Sequence, residues 1–524
     1  APDSIWKKYL YDVAFQKWVC SRALPGHLIA ANLMLADKSK RIAASGLNQK
    51  FRVHEVNGRK IVQVEGDILK AHLNPQILTS VNVDNICTGI FTATDHGLNV
   101  EETFDQMVKR FSISCEHGKL IQSQLGTHCG QCEFVCSKDD KLNGKQDGRL
   151  ECFNRVLGLD PTIFDEPTIF DLWNFRGKQK FIDEGIIRLS DLDEEDINIS
   201  SATYGLSHSE RQWLQVEKAK NNDDTEYLDH NGLKEEMDSW VYPLHFIDFE
   251  TTMVAIPFGA NRAPYEGIAF QFSHHTLDKD GTVKHAGEFL NVEPGYFPNY
   301  DFVRALKEQL SQDDGSIFRY SNHENTYLNL IFKQLQTDAN PPDDKDNLVV
   351  FIKSITQSTT NSDESWVGNR SMIDLLEVVK KFYFDPRNKG SNSIKYVLPS
   401  ILNRSEYLQD KYSKPIYGND QWIPSKNFTN QKWIERSSDG SVCDPYGLLP
   451  KLFKEHHEQQ LILLSQDDEL KNGGAALMAY ARMQFEIMSD YEREELKMAL
   501  LKYCELDTLA MVMIVEAWRD RVNY

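Results

Sequence analysis

The sequence predicts an α/β protein of more than one domain, with a mixed sheet in its carboxy-terminal half. Three observations carry that expectation. A chain of 524 residues is longer than one hydrophobic core usually organises. The strand-like segments HFIDFE, EGIAFQFSHHTL and GTVKHAGEFLNV follow one another before the first helical pattern near 300–311, and SIFRYSN comes after it. Residues 112–152 are short of apolar periodicity yet hold five of the nine cysteines, as expected of a segment that a bound ligand orders.

Taken in order, residues 5–24 carry apolar side chains at helical spacing, and HLIAANLMLAD reads as a buried strand. FRVHEVNGRKIVQVEG reads as a hairpin turning at Asn57-Gly58. Residues 160–228 alternate helical patterning with charged, turn-rich stretches such as KAKNNDDTEYLDHNG. The expected organisation is therefore an α/β domain over 1–111, a cysteine segment over 112–159, a helical linker over 160–235 and a second α/β domain over 236–524. PPDDKDN, QSTTNSDESW and most of 405–470 read as surface insertions.

Charge and hydropathy narrow the classes of partner. With 58 Lys and Arg against 78 Asp and Glu, the net charge of −20 repels polyanions, so any nucleic-acid contact must be local. The run holding Lys380, Lys381, Arg387, Lys389 and Lys395 is the candidate for it, and is equally consistent with a solvated face. No apolar run nears the roughly 18 residues that cross a bilayer, so no membrane partner is expected. The opening APDSIWKKYLYDVAF does not read as a signal peptide, and nine cysteines without one point to a reducing, cytoplasmic setting.

Four stretches carry the chemistry. In HFIDFE, strand alternation puts Asp248 and Glu250 on one face and Phe249 on the other. Like charges this close are costly to desolvate unless a cation neutralises them. In YCELD, Tyr503 and Asp507 stand four residues apart on one helical face. Glu324 and Asp374 each lie where a strand-like stretch runs into a helix, positions that equally suit a helix N-terminus. Taken singly, each reads as readily as ordinary surface or cap chemistry.

Together, DFE on a first strand, an acid opening a helix and Tyr-x-x-x-Asp on a late helix resemble, in that order, the DnaQ-like, RNase H-like 3′–5′ exonucleases of the DEDD class with tyrosine. The resemblance implies two Mg²⁺ or Mn²⁺ ions held by Asp248, Glu250, Glu324 and Asp507, with Asp374 able to support or replace Glu324, and Tyr503 orienting the attacking water. It departs from the class at Asn322-His323-Glu324, where an aromatic residue followed by Asp is usual after the Asn. More widely, DFE with AIPFGANRAPYEGIAFQFSHH, GSNSIKYVLPSIL, DPYGLLPKLF, GGAALMAY and YCELDTLAM resembles a bacterial family of uncharacterised proteins. That family joins a partial RecB-like, CRISPR-adaptation-nuclease-like half to the exonuclease-like half.

The cysteines Cys129, Cys132, Cys136 and Cys152 follow C-x2-C-x3-C-x15-C, a spacing that suits Zn²⁺ or an iron–sulfur cluster. The RecB-like resemblance implies a 4Fe-4S cluster, for which Cys129, Cys132 and Cys152 match best. The expected activity is that of a metal-dependent exonuclease acting on DNA before RNA, within a repair or defence assembly. The rival expectations are a catalytically silent binding or scaffold subunit, and a ribonuclease or oligonucleotide-trimming enzyme.

Overall fold

The computed structural model describes residues 4–523 apart from 57–58, 99, 122–123, 361 and 450–469. The chain folds into two units, one of residues 1–40, 75–170 and 174–191, the other of 41–74, 171–173 and 192–524. Among the described residues no helix is long and apolar enough to cross a membrane.

In the first unit, helix α1 (Ser4–Ala23) packs on α2 (Asp84–Thr92) and α3 (Phe104–His117), burying Leu10, Ala14, Cys87, Ile90, Phe104 and Met107. The helix expected over 5–24 is thus present. The strand expected to be buried is not: β1 (Asn32–Ala36) leaves Met34 62% exposed. It pairs antiparallel with β4 (Leu78–Asn82) alone, in a two-stranded sheet. Asp84 ties the pieces together, accepting from the Ala31 N–H at 2.8 Å and pairing with Lys17. The cysteine segment ends in α4 (Gly148–Leu157), whose cap Asp147 accepts from Leu150 N–H and, through its other oxygen, from Cys136 N–H, both at 3.0 Å.

The second unit takes the chain between β1 and β4, with β2 (Phe51–Val56) and β3 (Arg59–Val64) paired as the expected hairpin; its Asn57-Gly58 tip lies outside the described residues. It also takes α5 (His208–Lys220), β5 (Tyr227–Leu228) and α6 (His230–Asp238), so the stretch 160–235 is divided: 171–173 and 192–235 belong to the second unit, 160–170 and 174–191 to the first. Arg211 explains the difference. Its buried guanidinium donates to the carbonyls of Val379, Lys380 and Tyr383 and to the Asn392 amide oxygen, so α5 is sealed to the chain about 170 residues further on.

The centre of this unit is a five-stranded mixed sheet in the order β10-β9-β6-β7-β8. Strands β6 (Leu244–Met253), β7 (Gly267–Leu277) and β8 (Val283–Leu290) are antiparallel neighbours, while β9 (Ile317–Arg319) and β10 (Ile373–Asp374) run parallel to β6. The pleat divides the core in two. Ile247, Phe249 and Phe272 pack with Phe302 of α7 (Asn299–Leu310) and Leu328 of α8 (His323–Thr337). Leu244, Phe246 and Phe270 face the opposite layer: α9 (Leu375–Phe382), α10 (Ile394–Arg404), α11 (Leu470–Phe485) and α12 (Asp490–Arg521). β11 (Tyr383–Phe384) pairs with β5.

Helix α12 is buried without a break from Tyr503 to Trp518 and apolar all round from Leu509 to Val515, the pattern of a helix surrounded on every side, and Ser489 caps its start. The described part of 405–470 is not a surface insertion as expected: Tyr412, Tyr417, Ile423 and Trp433 are buried in the same core as α12. Turn formers dominate that stretch because it is irregular, not because it is exposed.

Replacing Arg211 by Met keeps its bulk and removes every donor from four buried acceptors. A loss of about 3 kcal/mol is expected in chemical denaturation of the second unit. A midpoint unchanged from the parent protein would show that α5 is not held by this guanidinium.

Candidate metal centre

Strand alternation in β6 points Asp248 and Glu250 toward α12, and α12 returns Asp507 to meet them. One carboxylate oxygen of each lies within 4.8 Å of those of the other two. Glu250 and Asp507 retain only 9% and 8% of their surface. Glu324, in the first turn of α8, stands outside that trio but is 1% exposed, and its Oε2 has no hydrogen-bond partner.

The electrostatics are those of acids held together against their charge. Burial first, then Asp507, pushes Glu250 up to about 8. Burial pushes Glu324 up to about 8 as well, against the opposing pull of backbone N–H groups and Arg319. Asp248 lies well above the carboxylate range through burial and the charges of Asp507, Glu324 and Glu250. Asp507 is raised by burial although Lys395 and the Tyr446 hydroxyl oppose it. Oxygen donors converging at this spacing, mutually repelling, with one orphaned carboxylate oxygen close by, fit a hard divalent cation.

Three further side chains close the site. Lys395 of α10 places its ammonium in contact with the Tyr503 hydroxyl and over the rings of Tyr446 and Tyr503, at 4.5 and 4.4 Å. Tyr446 donates its hydroxyl to Asp507 Oδ1. Cys504 Sγ lies 3.6 Å from the Asp248 carbonyl oxygen and from its Oδ2, and burial raises this thiol far above its ordinary value. The sequence reading missed Tyr446: its DPYG turn is a common capping pattern, and nothing local tells that the phenol reaches an acid 61 residues away.

Residues 245–393 match a family described as a domain of unknown function, DUF2779. The matched span carries Asp248, Glu250, Glu324 and Asp374 and stops short of Lys395, Tyr503 and Asp507. No curated protein and no solved structure matches the chain.

The remaining predicted residues stand outside the acid trio, although the charge of Asp374 helps to raise Glu324. Asp374 caps α9, accepting from Leu376 N–H, and pairs with Arg319 at 2.8 Å while accepting from the Ser321 N–H. It thus shapes the turn that leads from β9 to Glu324 rather than joining the trio. Of the basic run, only Lys395 reaches the acids. Lys380 pairs with Glu377 at 2.6 Å, Lys381 lines a cleft of about 520 Å³ with Arg319, Asn322, Gln357 and Asp374, and Arg387 and Lys389 sit on the turn around Pro386–Asn388.

In the first unit Cys129 is buried, and burial with the neighbouring Cys132 and Cys152 raises its thiol. Among the described residues no group of three ligand atoms within 4.8 Å includes a cysteine. A second such group, His285, Glu288 and Glu505, was not foreseen. Burial works to raise Glu505, but hydrogen bonds from His285, Ser425 and Tyr417 hold it below the usual range. Asn427 donates to both Glu288 and Glu505, so these acids are already satisfied by the protein.

Because Glu250 and Glu324 titrate higher when folded than unfolded, they favour the metal-free fold most at low pH and lose that contribution as pH rises from about 4.5 toward about 8. Divalent ions need the deprotonated acids and work in the opposite direction. The expected result is a Mn²⁺-induced rise in Tm that is larger at pH 8 than at pH 5.5 and is lost in Asp507→Asn. Equal rises at both pH values, or a full rise in the variant, would place the ion elsewhere.

Proposed function

We propose that the second unit is a divalent-metal-dependent phosphodiesterase, a 3′–5′ exonuclease of the DnaQ-like, RNase H-like kind, acting on DNA and secondarily on RNA. The observation that carries this reading is convergence: Asp248 and Glu250 from β6 meet Asp507 from α12, with Glu324 of α8 and Tyr503 of α12 near enough to share their field, in the chain order that the resemblance requires. The order of β6, β7 and β8 followed by a parallel β9 supports the same class of fold.

Asp248, Glu250 and Asp507 would hold one Mg²⁺ or Mn²⁺, with Glu324 as the acid for a second. Such ions supply Lewis acidity and lower the pKa of a bound water. The chain's own residues do the rest. Tyr446, by donating to Asp507 Oδ1, fixes the orientation of that carboxylate. Tyr503, kept as a neutral phenol by burial and by Asp507, Glu250 and Asp248, orients an oxygen rather than removing its proton. Hydrolysis adds water across the bond between phosphorus and the 3′-oxygen, releasing a nucleoside 5′-monophosphate and leaving a new 3′-hydroxyl on the shortened strand.

The test is incubation of the full chain with end-labelled single-stranded and duplex DNA and RNA, with Mg²⁺, Mn²⁺ or chelator. Asp248→Ala and Asp507→Asn are each expected to lower turnover by more than about 100-fold with the fold intact. Near-parental rates in both variants, or no cleavage of any substrate by the parent, would end the assignment.

For the first unit we propose a structural metal centre, an iron–sulfur cluster or Zn²⁺, on Cys129, Cys132 and Cys152 with Cys136. Support comes from Asp147, which ties the Cys136 backbone to the start of the helix carrying Cys152. Protein purified without oxygen should contain iron with sulfide or stoichiometric zinc, and Cys132→Ser should open residues 112–160 to protease. Absence of both elements, with that segment fully resistant, would refute the centre.

A further inference from the structure

Ser321 holds a backbone conformation that L residues disfavour, and the turn it makes leads directly to Glu324. Its φ of 78° lies in the left-handed region, where a side chain crowds the backbone and glycine alone is at ease. The residue stands two positions after the end of β9 and three before the acid in the first turn of α8. Both polar groups of its backbone are engaged. The N–H donates to Asp374 Oδ1 at 2.8 Å, and the carbonyl accepts from Arg319 Nη1. The same Nη1 donates to Asp374 Oδ2 at 2.8 Å, which closes a ring of three residues around the turn. Arg319 and Asp374 are register partners on the parallel strands β9 and β10, and both side chains are largely buried, so the sheet itself sets the ring.

A strained conformation persists only where its surroundings over-determine it. Further along, α8 is anchored in the core by Leu328, Ile331 and Leu335, but Asn322 opens the helix without a side-chain cap, so its entry depends on the turn before it. We propose that Arg319 and Asp374 are positioning residues: by clamping Ser321 in its left-handed conformation, they fix the first turn of α8 and aim the Glu324 carboxylate at the acid trio. This rests on the phosphodiesterase reading, in which Glu324 serves the second cation, and it makes Asp374 the support of that acid rather than a ligand in its place.

A clamp and a direct ligand differ in what relieves their loss. Glycine adopts the left-handed conformation freely, so Ser321→Gly removes the need for a clamp, whereas no change at 321 replaces a missing ligand. Mn²⁺ is titrated into the full chain, and the site served by Glu324 is identified by its loss in Glu324→Gln. Arg319→Met, and Asp374→Asn, which keeps an acceptor for the α9 cap, are each expected to weaken that site about tenfold, the equilibrium cost of about one left-handed residue. The double variant should bind no more than about threefold worse than the poorer single variant. Adding Ser321→Gly to either should restore binding to within about threefold of the parent. On metal-free protein, hydrogen exchange at the Ser321 amide, to which Arg319 makes no bond, should quicken at least about tenfold in Arg319→Met. Tighter binding in Arg319→Met, an Asp374→Asn defect that Ser321→Gly leaves in place, or unchanged exchange would each overturn the proposal, as would a parent whose Mn²⁺ binding is absent or insensitive to Glu324→Gln. A parent that takes up Mn²⁺ as expected and cuts no substrate would instead remove the phosphodiesterase reading alone.

Discussion

Four carboxylates that repel one another are packed between a sheet and a helix, and the rest of the second unit can be understood as what that arrangement demands. Asp248 and Glu250 project from β6 because a strand alternates; Asp507 meets them because α12 crosses β6 and β7 at the right height. Removing such acids from water is unfavourable for each and worse for all together. The fold can sustain them only if the helix that brings Asp507 is held by much more than the acids themselves. That explains why α12 is buried on every side from Tyr503 to Trp518, rather than along a single stripe.

The holding is partly polar. Next to the acid group, α12 presents Glu505 and Thr508 to a buried set of partners: His285 at 3.2 Å from Glu505, Tyr417 and Ser425 on the same carboxylate, and His275 and Ser273 on the Thr508 hydroxyl at 2.7 and 2.8 Å. Apolar packing alone lets a helix slide or rotate at small cost, whereas hydrogen bonds of fixed direction do not. The segment 405–449, which supplies Tyr417, Ser425 and Tyr446, therefore locks the register of α12 with two of these residues and completes the acid group with the third. Its irregular backbone is the consequence of reaching both places.

Much of the sheet was legible because its signals are local. Alternation in HFIDFE, the strand-like EGIAFQFSHHTL and the helix near 300–311 need no knowledge of distant residues, and all are present as read. The acid trio was legible for a different reason: its members belong to an ordered resemblance, and strand and helix periodicity say which way each points. What stayed hidden depends on pairings across long stretches of chain. Arg211 against residues 379–392, Tyr446 against Asp507 and Lys395 against Tyr503 join positions separated by 61 to 181 residues, and none has a spacing that betrays it. The same blindness produced the errors: β1 read as buried because its residues are apolar, and 405–449 read as exposed because its residues favour turns.

Those distant pairings also change what the basic residues mean. Read along the sequence, Lys380, Lys381, Arg387, Lys389 and Lys395 form a single positive run; in the fold they part company. Lys380 is engaged by Glu377, Lys381 lines a cleft with Arg319, and Lys395 stands among the acids. In a protein of net charge −20, a diffuse basic patch would do little to offset the long-range field. A single ammonium in contact with the site acts at short range and in a poorly solvated setting, where the same charge counts for far more. On the phosphodiesterase reading proposed above, the acidic surface and a phosphate at the site are compatible, because Lys395 and a cation on the acids would confine positive charge to the few ångströms where it is needed.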